Sequence, residues 1–93
     1  MDQMLQEDRT VAFWRDLFLG WPQERPRRGI IVTAWQETMS FDSYLVSDEV
    51  LFLNRPQPDG LGARKIMLPF RQIAAVKFTD VFELEAFASV GFQ

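Results

Sequence analysis

Residues 65–78 read KIMLPFRQIAAVKF, two short apolar runs with only a tight connection between them. Branched and aromatic apolar side chains favour β-strands, so the pattern predicts one strand over residues 64–68 and another over residues 73–80. Pro69 ends the first strand because proline donates no ladder hydrogen bond. The FRQ of residues 70–72 then forms the turn. We therefore expect a meander of short antiparallel strands around this segment.

Three further strands are predicted upstream, over residues 30–36, 40–46 and 50–54. The first, IIVTAWQ, is rich in strand-forming residues, and the third, VLFLN, is a continuous apolar run typical of a strand buried on both faces. The second, SFDSYLV, alternates with a period of two. That period places Phe41, Ser43 and Leu45 on one side and Asp42, Tyr44 and Val46 on the other. A loop rich in proline and glycine, RPQPDGLGA at 55–63, follows the third strand.

An apolar stripe predicts a helix before the strands. Its members recur at spacings of three and four and so share one helix face: Val11, Trp14, Leu17, Phe18 and Trp21. We place this helix from about Gln3 or Asp8 to Leu19, because Gly20 and the Trp-Pro after it end helices. Residues 22–29, PQERPRRG, form a linker to the first strand.

The length of the chain predicts a single domain over residues 1–93. We divide it into an N-terminal helix over 1–21, a small β-barrel over 29–80 and a C-terminal tail over 81–93. The tail, VFELEAFASVGFQ, fits both the period of a strand and the spacing of a helix, and the sequence leaves its conformation open. The predicted fold class is mainly β: a helix followed by a five-stranded, strongly bent antiparallel sheet or small barrel. An open sheet covered by the helix is the alternative.

The composition favours association between copies. Hydrophobic residues make up 47% of the chain, which includes three Trp and nine Phe, and the core of so small a domain can hide only some of them. Large apolar patches rarely stay exposed on monomers, so a homo-oligomer is expected. The net charge of −3 argues against strong non-specific binding of nucleic acid, which depends on Lys and Arg.

Several classes of site are excluded by residues that the chain lacks. It contains no Cys and no His, which excludes zinc sites built from them and hydrolase sites with a Ser-His-Asp triad or a Cys nucleophile. We predict no catalytic residue, no metal and no cofactor, and we do not expect an enzyme. No apolar run is long enough for a membrane helix. The acidic start, MDQMLQEDRT, is unlike a signal peptide, so a cytoplasmic location is expected.

The predicted order of elements resembles the Sm-like fold, whose family includes bacterial Hfq-type RNA chaperones. LPFRQIAAV at 68–76 is similar to the strand–turn–strand of the second family motif, and FDSYL at 41–45 resembles the first. The resemblance implies a ring, in which the fourth strand of one copy pairs with the fifth strand of its neighbour. It also implies a possible partner, RNA or other single-stranded nucleic acid. SH3-like barrels and pleckstrin-like domains are similar alternatives.

Five basic residues are candidates for nucleic-acid binding: Arg25, Arg27, Arg28, Lys65 and Arg71. The three linker arginines form a cluster, and the planar guanidinium suits phosphate. Lys65 and Arg71 flank the turn that the resemblance places at the nucleotide site. A solvated linker, in which Glu24 pairs with the arginines, is the alternative for the cluster.

Three aromatic residues are candidates for stacking on bases: Trp35, Tyr44 and Phe70. For Trp35 and Phe70 a place in the core or in a subunit interface is favoured over stacking. The alternative function for the whole chain is a protein-interaction or assembly module of small β-barrel type, without a role in nucleic-acid binding. In that hypothesis the apolar tail docks on a partner.

Overall fold

The computed structural model describes residues 2–92, with side chains from Arg9 onward. One helix, α1 (Asp2–Leu19), precedes six strands, which are β1 (Gly29–Thr33), β2 (Thr38–Phe41), β3 (Ser43–Val46), β4 (Val50–Asn54), β5 (Lys65–Pro69) and β6 (Ile73–Lys77). Two short 3-10 helices complete the chain: a turn helix (Phe70–Gln72) and a tail helix (Leu84–Val90). Met1 and Gln93, the ends of the predicted domain, lie outside the described residues.

The strands form two antiparallel sheets of three strands each, with the orders β2-β1-β6 and β3-β4-β5. The chain is therefore mainly β with an N-terminal helix, as predicted. The prediction of five strands in one small barrel was wrong, because the expected strand over 40–46 is divided and no pairing between β5 and β6 closes the described strands into a barrel.

The division occurs at Asp42, the one residue between β2 and β3. The predicted alternation fails at this bend: Phe41 and Tyr44 are both buried, whereas Leu45 is 73% exposed. A bend between strands resets which side chains point inward, because each sheet turns its own face to the core. One strand segment thus supplies an edge to both sheets.

Other boundaries and faces also differ from the prediction. β5 covers Lys65–Pro69 rather than residues 64–68, with Pro69 as its last residue. β1 ends at Thr33, because the chain turns over the next residues with Gln36 at a φ of 67°. β6 ends at Lys77 rather than at residue 80. β4 has its predicted bounds but buries one face only, since Leu51 and Leu53 are buried and Phe52 between them is half-buried.

The helix ends at Leu19, as predicted, and buries the predicted stripe. Leu17, Phe18 and Trp21 are buried, and Val11 and Trp14 pack against the edge of the core. This core joins the helix to both sheets, and its strand residues include Ile31, Met39, Phe41, Tyr44, Leu51, Leu53, Leu68 and Ile73. Hydrophobic burial over these three layers is the main source of stability.

The tail packs back on its own chain. Phe78, Phe82 and Phe87 contact one another with ring centroids 4.8 to 5.3 Å apart. Phe78 and Phe82 also contact Trp21, at 5.1 and 6.0 Å. The tail is therefore neither a strand nor an α-helix, but a 3-10 helix fixed by aromatic contacts.

Candidate functional site

The described residues hold no cluster of acidic side chains that could bind a metal ion. Among the helices in residues 2–92, none is long and apolar enough to cross a membrane. The elements of the fold position the candidate residues that the sequence indicates.

The linker arginines lie together between α1 and β1, and all three are exposed. Arg28 donates two hydrogen bonds to the carboxylate of Asp80, from Nε at 2.9 Å and from Nη2 at 2.6 Å. This pairing lowers the pKa of Asp80 and raises the pKa of Arg28. Arg28 thus connects the linker to the residue just before the tail, and its partner is Asp80 rather than Glu24, the partner in the alternative interpretation.

Arg25 and Arg27 lie over aromatic rings. The guanidinium carbon of Arg27 is 5.5 Å from the ring centroid of Tyr44, and that of Arg25 is 6.0 Å from the centroid of Phe82. Such cation–π contacts hold a guanidinium in place without neutralising its charge. Among the side chains that the structure describes, residues 9–92, the only salt bridge found belongs to Arg28, so Arg25 and Arg27 form the charged part of this corner.

The other two basic candidates lie elsewhere. Lys65 begins β5, and Arg71 is in the turn helix after that strand has ended. About 13 Å of strand separates the two positions, and both side chains are exposed. The structure therefore brings together the three linker arginines but does not bring Lys65 and Arg71 to one site.

Two of the three aromatic candidates are buried. Phe70 has no exposed surface and Tyr44 is 7% exposed, so neither ring can stack on a base. Burial raises the pKa of the Tyr44 hydroxyl to about 12, against a smaller opposing effect of Arg27. Trp35 is 55% exposed rather than in the core. It comes after the last residue of β1, however, whereas the linker arginines come before the first, so the strand separates them.

The outer face of the second sheet carries an apolar row that the sequence analysis missed. Leu45 lies opposite Phe52, and Phe52 lies opposite Met67. Leu45 is 73% exposed and Met67 is 67% exposed. In-register apolar neighbours on a sheet form one continuous surface. Leu45 points outward because of the bend at Asp42, and the alternating pattern of the sequence does not indicate this bend.

Each sheet has two edge strands within the described residues: β2 and β6 in the first, β3 and β5 in the second. β2 and β3 are halves of one bent segment, so β5 and β6 are the two ends of the strand order. β5 pairs only with β4, and β6 pairs only with β1. An edge strand presents N–H and C=O groups that can pair with another chain. β5 and β6 have five residues each, and along the chain only the turn helix lies between them.

The chain matches no known protein-family model, and it has no significant match among curated proteins or solved structures.

Proposed function

We propose that this chain is a self-assembling β module, in which β5 of one copy pairs with β6 of the next. The observation that carries the proposal is the position of β5 and β6 at the two ends of the strand order, which the bent segment of β2 and β3 makes continuous from one sheet to the other. Strand addition at an exposed edge is a common mode of association.

The two edges favour a closed assembly. Each copy offers β5 on one side and β6 on the other, so the contact joins different surfaces and leaves one free edge at each end of a chain of copies. Such head-to-tail contacts form rings when the rotation between copies closes. This is the assembly that the Sm-like resemblance implies, with the fourth and fifth predicted strands corresponding to β5 and β6.

The exposed surface supports association as well. Leu45 and Met67 are large apolar side chains that are 73% and 67% exposed, and contiguous exposed apolar surface is typical of interaction sites. Met67 lies on β5 itself and belongs to the outer row described above. Burial of such side chains would add hydrophobic free energy to the edge pairing.

Light scattering during size-exclusion chromatography tests the proposal. We expect a mass of several chains for the natural sequence and a shift toward one chain for Met67→Lys or Ala74→Lys, which put a charge on each edge strand. Leu61→Lys is the matched control, because Leu61 is 98% exposed in the loop outside both edges. A single-chain mass for the natural sequence at micromolar concentration would refute self-assembly.

We also propose a second candidate function, the binding of single-stranded nucleic acid at the linker corner. The observation that favours it is the pair Arg25 and Arg27, each positioned over a ring and neither in a salt bridge among the described residues. Repetition of this corner around a ring would multiply the number of phosphate contacts.

Fluorescence anisotropy with a labelled oligouridine over a range of salt concentrations tests this candidate. Arg25→Ala with Arg27→Ala should weaken binding and reduce the slope of log affinity against log salt by about one to two. The double variant Arg9→Ala with Arg64→Ala removes the same amount of charge outside the linker. It should retain most of the natural chain's slope of log affinity against log salt. Equal losses in both variants would show that only net charge matters.

A further inference from the structure

A groove lies between α1, the end of β6 and the tail helix, apart from the strand edges and the linker arginines. Its volume is about 820 Å³, and its walls include Phe13, Trp14 and Leu17 from the helix, Val76 and Phe78, and Phe87 from the tail. Ligand pockets in proteins commonly have volumes of about 300–1,000 Å³ and mostly apolar walls. The size and lining of the groove are therefore those of a small-molecule site.

Aromatic contacts fix two of the walls. Phe78 packs on Trp21 of the core at 5.1 Å and on Phe87 of the tail at 4.8 Å. Phe13 of the helix meets Phe92 beyond the tail helix at 5.8 Å. The tail is thus connected to the body of the chain on both sides of the groove, which leaves a preformed space between them.

One charged side chain, Glu85, contributes to the lining. It is exposed, so its carboxylate is hydrated at the edge of the apolar space. Glu83, two residues before it, is also acidic, whereas the carboxylate of Asp80 is already paired with Arg28. The local charge favours a cationic group beside an apolar body and disfavours an anionic one.

We propose that this groove binds a small cationic amphiphile, whose apolar body lies between the helix and the tail and whose positive head lies beside Glu85. The site is separate from the strand edges of the proposed assembly, so its failure would leave that assembly standing. Likewise, a chain that proves to be a monomer could still bind the amphiphile.

Dodecylamine, decylamine and octylamine are suitable probes, and Trp14 in the wall is a natural reporter. Titrations below the critical micelle concentration would follow Trp fluorescence in a Trp35→Phe background, which removes the exposed indole, and calorimetry would give the stoichiometry. We expect one amine per chain and an increase in affinity of about fourfold for each added methylene. Circular dichroism at each point checks that the chain stays folded.

Dodecanoate has a similar chain and the opposite charge, and it should bind about twofold to fivefold more weakly than dodecylamine. Glu85→Gln should remove this difference while retaining the dependence on chain length. A difference that persists in Glu85→Gln would overturn the assignment of the positive head to Glu85.

Two substitutions in the tail helix test the location. Ala88 lines the groove and Ser89 does not, and both are exposed, so Ala88→Phe should reduce affinity about tenfold or more while Ser89→Phe should not. Equal affinities for these two variants, or no saturable binding by the natural chain, would overturn the site. Self-association that Ala88→Phe abolishes, measured by light scattering without amine, would also overturn it, because the groove would then belong to a second copy.

Discussion

The hydroxyl of Tyr44 donates a hydrogen bond of 2.6 Å to the main-chain carbonyl oxygen of Phe18. The last carbonyl groups of a helix have no partner within the helix, and this one is satisfied by a side chain from β3. The two rings also meet edge to face, with centroids 5.0 Å apart. Tyr44 thereby joins the end of α1 to the second sheet.

Replacement of this tyrosine tests the importance of the bond. Tyr44→Phe keeps the ring but leaves the Phe18 carbonyl without its donor, so we expect the free energy of unfolding to fall by about 1–3 kcal/mol. Urea denaturation at a fixed protein concentration measures the change. Ser89→Ala removes an exposed hydroxyl and should stay within about 0.5 kcal/mol of the natural chain. A similar stability for Tyr44→Phe would mean that water replaces the bond.

The same hydroxyl predicts a loss of stability in alkali. Its pKa is raised from 10.0 to about 12 by burial, so the folded chain favours the neutral form more than the unfolded chain does. The resulting stabilisation is complete below pH 10 and is lost as the pH rises from about 10 to about 12. The stability difference between the natural chain and Tyr44→Phe should narrow over this range.

Tyrosinate absorbance provides a direct check, since Tyr44 is the only tyrosine. We expect its ionisation in the folded chain at about pH 12, or together with unfolding if unfolding occurs first. Ionisation near pH 10 in a chain that circular dichroism shows to be folded would contradict the prediction.

Replacement by phenylalanine should change the free energy of unfolding by different amounts at Trp14 and at Trp21. Trp21 donates from Nε1 to the carbonyl oxygen of Pro26 at 3.0 Å, whereas the buried Nε1 of Trp14 has no hydrogen-bond partner. Trp21→Phe loses packing and a hydrogen bond, for about 2–3 kcal/mol. Trp14→Phe loses packing but also removes a costly unpaired donor, so it should lie within about 1 kcal/mol of the natural chain. Equal losses in urea denaturation would refute this difference.

Gly29 is predicted to be intolerant of a side chain. A Cβ at this position would lie 2.7 Å from the carbonyl oxygen of Lys77 and 3.3 Å from the ring of Phe41. A backbone oxygen in a strand pair cannot move aside easily, so Gly29→Ala should cost about 1–3 kcal/mol. Gly60→Ala is the control, because nothing lies within 4 Å of a Cβ there. Equal thermal stability of the two variants would contradict the close approach.

Much of the secondary structure follows from local rules. The end of α1 at Leu19 follows from Gly20 and Pro22, and the short connection between β5 and β6 follows from Pro69 and the FRQ after it. These features depend on backbone chemistry that neighbouring residues determine, which is why periodicity and turn residues were sufficient to predict them.

The bend at Asp42 and the surfaces could not be predicted in this way. The exposure of Leu45 depends on which sheet each half of the segment joins, and the contact between Arg28 and Asp80 spans 52 residues. The 3-10 conformation of the tail depends on its aromatic contacts with Phe78 and Trp21. Each of these is a tertiary relationship, to which a window of neighbouring residues carries no signal.

The segment from Thr38 to Val46 belongs to both sheets, with Asp42 at its centre. Unfolding of this segment would remove a strand from both sheets. The two sheets are therefore not expected to unfold independently. The described residues should accordingly unfold as one cooperative unit, with similar hydrogen-exchange protection in β1 and β4. A small chain obtains in this way the all-or-none behaviour that a larger core would otherwise provide.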